Sequence, residues 1–149
     1  MKNQELHNLT QTLTNLISDT EKFVSNEIEE GSLMQSVIED MNTEQLSKGV
    51  GGNGQILPEY SECSVECYGK TPGAMTMKDT GEFYSSIEMK SKKTSFQLIS
   101  KSPKMKPPIR LEYNYGKLLG LTKKSQKELS EDYLVPEIKK FIKTKINEN

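Results

Sequence analysis

The stretch Met77-Lys-Asp-Thr-Gly-Glu-Phe-Tyr-Ser-Ser-Ile-Glu-Met89 joins a loop-rich middle to the first β segment, and the fold is read outward from it. Asp79 or Thr80 caps a short helical turn by accepting a backbone N–H bond, and Gly81 adds freedom there. Phe83, Tyr84 and Ile87 then fall on one side at helical spacing. The hydroxyls and carboxylates of the stretch have no His, Cys or Lys placed by the sequence to activate them, so it reads as a cap with core anchors.

Downstream the period changes to two. Ile87 and Met89 predict one strand, Ser91-Lys92-Lys93-Thr94 a polar connection, and Phe96 and Leu98 the returning strand of a hairpin. Lys101 to Pro108 holds three prolines and three lysines and predicts a loop. Ile109, Leu111, Tyr113 and Tyr115 alternate with Arg110, Glu112 and Asn114, which predicts a further strand with one face to the core. Upstream, Cys63, Val65 and Cys67 alternate with Ser64 and Glu66 as a half-buried strand would, making both cysteines packing residues. Thr71-Pro72-Gly73 marks a turn.

Toward the N-terminus, Leu6, Leu9, Leu13, Leu16, Ile17, Thr20, Val24 and Ile28 form the stripe of an amphipathic helix. Gly31 suits a C-terminal cap and Ser32 an N-terminal one, after which Leu33, Met34, Val37, Ile38 and Met41 restart the period. The expected result is a helical hairpin or bent pair whose stripes are ordinary core. Gly49, Gly51, Gly52 and Gly54 predict a flexible loop from Lys48 to Gly54, since the run lacks the Gly-Lys-Ser/Thr ending of a phosphate loop and follows no strand. At the other end, Ser125 and Glu128 suggest a capping box. Val135, Ile138, Ile142 and Ile146 give a C-terminal helix its stripe, Pro136 bends or restarts it, and Lys139, Lys140, Lys143 and Lys145 cover the remaining surface.

These segments predict an α+β fold with an N-terminal helical pair, a small antiparallel sheet of three or four strands, and a C-terminal helix packed on the sheet. One domain is expected over residues 1–149, with helices over residues 1–48, a loop-rich β region over 49–122 and a C-terminal helix over 123–149. Apolar runs are short and the N-terminus has no apolar signal core, so a soluble protein without membrane association is expected. Two cysteines spaced Cys-x3-Cys and a distant His7 do not make a zinc pattern, and no cofactor is expected. Residues 1–66 carry twelve acidic residues against three lysines, a net of −9. Residues 67–149 carry seventeen basic against nine acidic, a net of +8. Such a split suits head-to-tail association, or neutralises within one monomer.

The order of segments resembles that of the tailed-bacteriophage virion-morphogenesis, or tail-completion, proteins, which join tail to head in the neck. The residues that carry the resemblance are the Gly-rich, extended passage Gly49 to Ser61 and the run Thr76 to Ile87 with its Thr-Gly and Ser-Ile. They continue with Tyr115-Gly116, Gly120-Leu121-Thr122 and the closing helix Ser125 to Ile146. It spans roughly residues 45–146, and the Lys101 to Pro108 loop departs from it where an aromatic-rich segment is usual. The resemblance implies a virion structural protein without catalytic residues, and so not an enzyme, forming a homo-oligomeric ring, usually of six. The implied partners are a head-completion or connector protein and a tail tube or tail terminator, with DNA met only as it passes through the ring. The implied location is the virion, after assembly in the host cytoplasm. Lys104, Lys106, Arg110, Leu118, Leu119, Lys139, Lys140 and Lys143 are the expected interface residues. The alternative reading is a basic-surface module for an acidic partner or nucleic acid, although no stacking aromatics accompany the C-terminal lysines.

Overall fold

The computed structural model describes residues 2–93 and 95–148. Helix α1 (Lys2–Glu27) is followed by α2 (Leu33–Ser47), the short helices α3 (Glu62–Tyr68) and α4 (Glu82–Ser85), and a hairpin of β1 (Ile87–Lys92) and β2 (Ser95–Ser100). A 3-10 turn (Pro103–Met105), α5 (Leu111–Tyr115), α6 (Lys123–Glu128), a π-helical turn (Leu129–Leu134) and α7 (Val135–Asn147) complete the order. The class is α+β with helices first, a two-stranded antiparallel sheet and a C-terminal helix. Among the described residues no helix is long and apolar enough to cross a membrane.

The break between α1 and α2 falls where Gly31 and Ser32 place it. Gly31 takes a φ of +87°, and Ser32 caps α2 by accepting from the Gln35 N–H at 3.3 Å. Helix α2 then buries Met34, Ile38, Met41 and Leu46. The hairpin forms as its alternation predicts, pairing Ile87 with Ser100, Met89 with Leu98 and Ser91 with Phe96. Ile87, Met89 and Leu98 are buried, and the Glu39 carboxylate on α2 accepts from the Met89 N–H at 2.8 Å, pinning β1 to that helix. Of the expected connection, Thr94 lies outside the described residues.

Two expected strands are helices. Residues 62–68 form α3, with Ser61 accepting from the Ser64 N–H at 3.2 Å and Gly69 in the left-handed region at φ +63°. Cys63 and Cys67 are therefore exposed, i and i+4 on one helix, and are not packing residues. Residues 111–115 form α5, in which only Leu111 is buried while Tyr113 stands out in solvent. The sheet consequently has two strands, not three or four.

The Lys48–Gly54 run is a packed turn instead of a flexible loop. Gly51 N–H donates to the Gln55 carbonyl at 2.8 Å and Gly52 N–H to the Lys117 carbonyl at 2.9 Å. A Cβ on Gly52 would lie 2.5 Å from the Leu119 carbonyl carbon and oxygen, so glycine is there for close approach of two backbones. The Lys101–Pro108 loop is likewise partly built: buried Ser102 donates to a Glu82 carboxylate oxygen at 3.0 Å and accepts from the Lys104 N–H at 3.2 Å, starting the 3-10 turn.

At the C-terminal end the helix cap is Thr122, which accepts from the Ser125 N–H at 3.1 Å; Ser125 is the third helical residue and not the cap. Pro136 lacks an N–H to continue the helical ladder, and the π-helical turn immediately before it absorbs the break. Helix α7 packs mainly on α1, with Phe23 and Phe141 stacked at 4.5 Å between centroids, and not on the sheet as expected. Helix α2, not α7, is the main cover of β1.

Candidate interaction surfaces

The segment Lys117 to Leu121 is the centre of the packed unit, and polar side chains from two directions hold its backbone. From α2, the Asn42 carboxamide donates to the Leu118 and Gly120 carbonyls at 3.2 and 3.0 Å. Gln45 donates to the Gly120 carbonyl at 2.9 Å and accepts from the Thr122 N–H at 2.9 Å. From α5, one Glu112 carboxylate oxygen accepts from the Leu118 and Leu119 N–H groups at 2.9 and 3.0 Å. Leu118, Leu119 and Leu121 are buried, so the backbone needs such partners. Leu118 and Leu119 thus belong to the core and are removed from the expected interface. Asn42 and Gln45 lie on the buried face of α2, and sequence reasoning missed them because polar residues inside a stripe look like interruptions of it.

The remaining expected residues fall on two separate elements. Lys104, Lys106 and Arg110 surround the 3-10 turn and the start of α5, with Lys106 and Arg110 exposed. Lys139, Lys140 and Lys143 are exposed on α7, and Lys140 lies 3.8 Å from Glu137.

Beside the first group is a cleft of about 440 Å³ walled by Tyr60, Tyr68, Met75, Met77, Leu111 and Tyr115. Lys70 and Lys104 stand at its rim with Asp79 between them, at 3.2 and 4.0 Å. Thr76 organises one wall: its Oγ1 is 3.2 Å from the Tyr60 hydroxyl, and its carbonyl accepts from the Tyr84 hydroxyl. Burial first, and the nearby Tyr60 second, push the Tyr84 phenol up to about 12, so it is a neutral donor at ordinary pH. Met77 and Arg110 both carry positive φ, +55° and +48°, a conformation uncommon for such side chains, and they bracket the cleft. The wall offers apolar and sulfur contacts and the rim offers cations, which suits an extended segment with apolar and acidic residues.

A second depression, about 980 Å³, opens along β2 between Phe96 and Leu98, Val24 of α1 and Ile28 just beyond it, and Leu129 and Leu134. Since β1 is the only neighbour of β2 among the described residues, the outer edge of β2 presents backbone donors and acceptors next to an apolar floor. Among the described residues no group of three or more His, Cys, Asp or Glu could hold a metal ion. Comparison with family models, with curated proteins and with solved structures finds no match to this chain.

Proposed function

We propose that this chain is a structural subunit of a tailed-bacteriophage virion, a neck or tail-completion ring protein that joins tail to head. The observation that carries the reading is that the segments bearing the sequence resemblance converge, apart from the last part of the closing helix, which packs on α1. The Gly-rich passage packs its backbone against Lys117 to Gly120, while Phe83 and Ile87 from the Thr76 to Ile87 run share the core cluster of Leu118 and Leu121. A motif order spread over the chain thereby becomes one folded unit, as a shared architecture would require. The uncovered β2 edge and the tyrosine-methionine cleft are surfaces of the kind that neighbouring subunits fill. Lys104, Lys106 and Arg110 beside the cleft would meet an acidic surface of the next subunit, and exposed charges of this kind guide encounter more than they add affinity. Native mass spectrometry of the full chain tests the ring: a closed oligomer, six being the first expectation, supports it. A chain absent from purified virions of its phage sinks the reading.

The second reading, a basic module for an acidic partner or nucleic acid, is favoured by the exposed lysines of α6 and α7, Lys123, Lys124, Lys127, Lys139, Lys140 and Lys143. Counterion release would then make log affinity for duplex DNA fall linearly with log salt. A salt-independent or undetectable interaction removes this reading.

A further inference from the structure

Helix α1 is covered on one side only. Helix α7 runs antiparallel beside it, with Phe141 stacked on Phe23 and the last turn, Lys145, Ile146 and Glu148, bordering Thr12, Asn15, Leu16 and Asp19. The N-terminal part of α1, before Thr12, extends past the end of α7 by about 15 Å at 1.5 Å per residue. Along the overhang and the turns that follow it, Leu6, Leu9, Leu13 and Ile17 are 64, 57, 51 and 62 % exposed. At about 100° per residue these four fall within about 80° of one another on the helix surface, and Thr20 and Val24 continue the same face. There they meet Ile142 in an apolar groove of about 360 Å³.

The overhang cannot hold its own helix well. Asn8 and Thr10 in the overhang, and Thr12, Thr14 and Asn15 where it joins the covered part, are poor helix formers, and the three threonine hydroxyls bond back to the carbonyls of Leu6, Asn8 and Thr10 at 2.9 to 3.0 Å. A helix of this length without packing is marginal in water. Cover is needed, and charge selects what provides it. Leu6 to Ser18 contains no Asp, Glu, Lys or Arg, although residues 1–66 as a whole carry −9. Apart from Glu21 beside the groove, a strongly charged partner finds nothing to pair with on this face, whereas a second copy of the same face, turned antiparallel, keeps the two Glu21 carboxylates apart and meets no repulsion. Direction follows from the flanks. Parallel pairing would set Asp19 against Asp19 and Glu21 against Glu21. Antiparallel pairing about a two-fold axis near Asn15 sets Leu6 against Val24, Leu13 against Ile17 and Leu9 beside Thr20, and it places each carboxylate opposite uncharged residues.

We propose that α1 is a self-association surface: two copies of this chain pair antiparallel through Leu6, Leu9, Leu13, Ile17 and Val24, each overhang filling the α1–α7 groove of the other. The result is a two-fold arrangement of four helices, α1 and α7 from each copy. The inference does not depend on the virion reading.

The test uses the full chain. Sedimentation equilibrium should give an assembly with an even number of 16.9 kDa chains, dissociating reversibly on dilution. Leu9→Asp with Leu13→Asp should weaken the pairing at least about tenfold, with the dichroism of the packed unit retained. In a Cys63→Ser, Cys67→Ser background, chains carrying Leu13→Cys should disulfide-link to chains carrying Ile17→Cys when the two are mixed, and neither should link efficiently to itself. Association unchanged in the double aspartate variant overturns the proposal. So does linking of Leu13→Cys chains only to each other, or failure of the mixed pair to link. A chain that stays monomeric at all concentrations also overturns it. If that monomer floats with phosphatidylcholine vesicles, the stripe is a membrane-surface face instead.

Discussion

Leu118 and Leu9 are the same residue in two regions built on different terms. Leu118 is 0 % exposed, inside a unit where α2, the glycine turn, α5 and the hairpin all close on one segment. Leu9 is 57 % exposed on an arm whose main fastening is the Phe23–Phe141 stack. The difference lies in what happens to backbone polar groups. In the packed unit Asn42, Gln45 and Glu112 satisfy an irregular segment that is buried, so packing and hydrogen bonding reinforce each other. On the arm the helix satisfies its own backbone, and apolar cover is the missing term. Opening free energies should therefore be uneven, high around Leu118 and low before Thr12.

The sharpest way to break that comparison is Gly52→Ala. The added methyl meets the Leu119 carbonyl at 2.5 Å and the Gly120 nitrogen at 2.7 Å, and backbone cannot swing aside as a side-chain tip can. A loss of about 3 kcal/mol in urea unfolding is expected, with the arm's exchange rates unaltered. Asn42→Ala comes next, at about 2 kcal/mol, because it orphans the Leu118 carbonyl and leaves Gly120 with Gln45 as its side-chain donor. That figure is moderated because the Asn42 Oδ1 itself has no hydrogen-bond partner in its buried position. If either variant is neutral, the packed unit is not held by close backbone approach.

Phe141→Ala addresses the arm. The stacked pair is half-buried, so a loss of about 1.5 kcal/mol is expected. Hydrogen exchange should accelerate in α1 and α7 while β1 and α2 keep their protection. Uniform acceleration throughout would show that the two regions unfold as one.

Much of this contrast is legible in the sequence, and the failures have physical sources. The helices α1 and α2, the Gly31-Ser32 break and the hairpin are local patterns, and they appear where local pattern places them. The α1 stripe expected as core is instead exposed at Leu6, Leu9, Leu13 and Ile17, because no described element of the chain covers that face. The strand expected at Ile109 to Tyr115 rests on four alternating positions, but the two that reach the protein, Leu111 and Tyr115, are also i and i+4 of a helix. Over so short a window the two periods are not distinguishable. For α3 the decisive signals are the flanks, Ser61 as N-cap and Gly69 just past the end, rather than the alternation between them. The glycine run and Leu118-Leu119 mislead for a different reason. Their deciding partners, Lys117 and Leu119 for Gly52 and Asn42 for Leu118, lie more than sixty residues away along the chain, and glycine written for close approach looks the same as glycine written for freedom.

The cleft connects the packed unit to its surface, and pH probes it. Tyr84 has its phenol pushed from an ordinary value near 10 up to about 12, so the folded state holds the proton that the unfolded chain releases first. Its contribution to stability is full below about pH 10 and is lost progressively between about 10 and 12. Tyr84→Phe should cost about 1 kcal/mol at neutral pH, through the hydrogen bond to the Thr76 carbonyl, and should flatten that part of the alkaline profile. An unchanged alkaline slope would place the titration elsewhere.

The smallest effect belongs to the cysteines. Had residues 62–68 been a half-buried strand, truncating two packed thiols would cost about 1 to 3 kcal/mol. On α3 both side chains are exposed and touch chiefly each other, Sγ to Sγ at 3.1 Å, so Cys63→Ser with Cys67→Ser should change stability by less than about 0.5 kcal/mol. Their reactivity separates exposure from acidity. The hydrogen-bonded Cys63 partner, with partial desolvation second, holds the Cys67 thiol above its ordinary range. A small disulfide reagent should therefore reach both cysteines in the folded chain, yet label Cys67 more slowly than an unstructured thiol near neutral pH, since the thiolate is the nucleophile. Replacing Cys63 alone by Ser should change the labelling rate of Cys67 without changing its accessibility. Complete protection of both thiols until global unfolding would mean that α3 packs inward, and the contrast between its spacing and its burial would collapse.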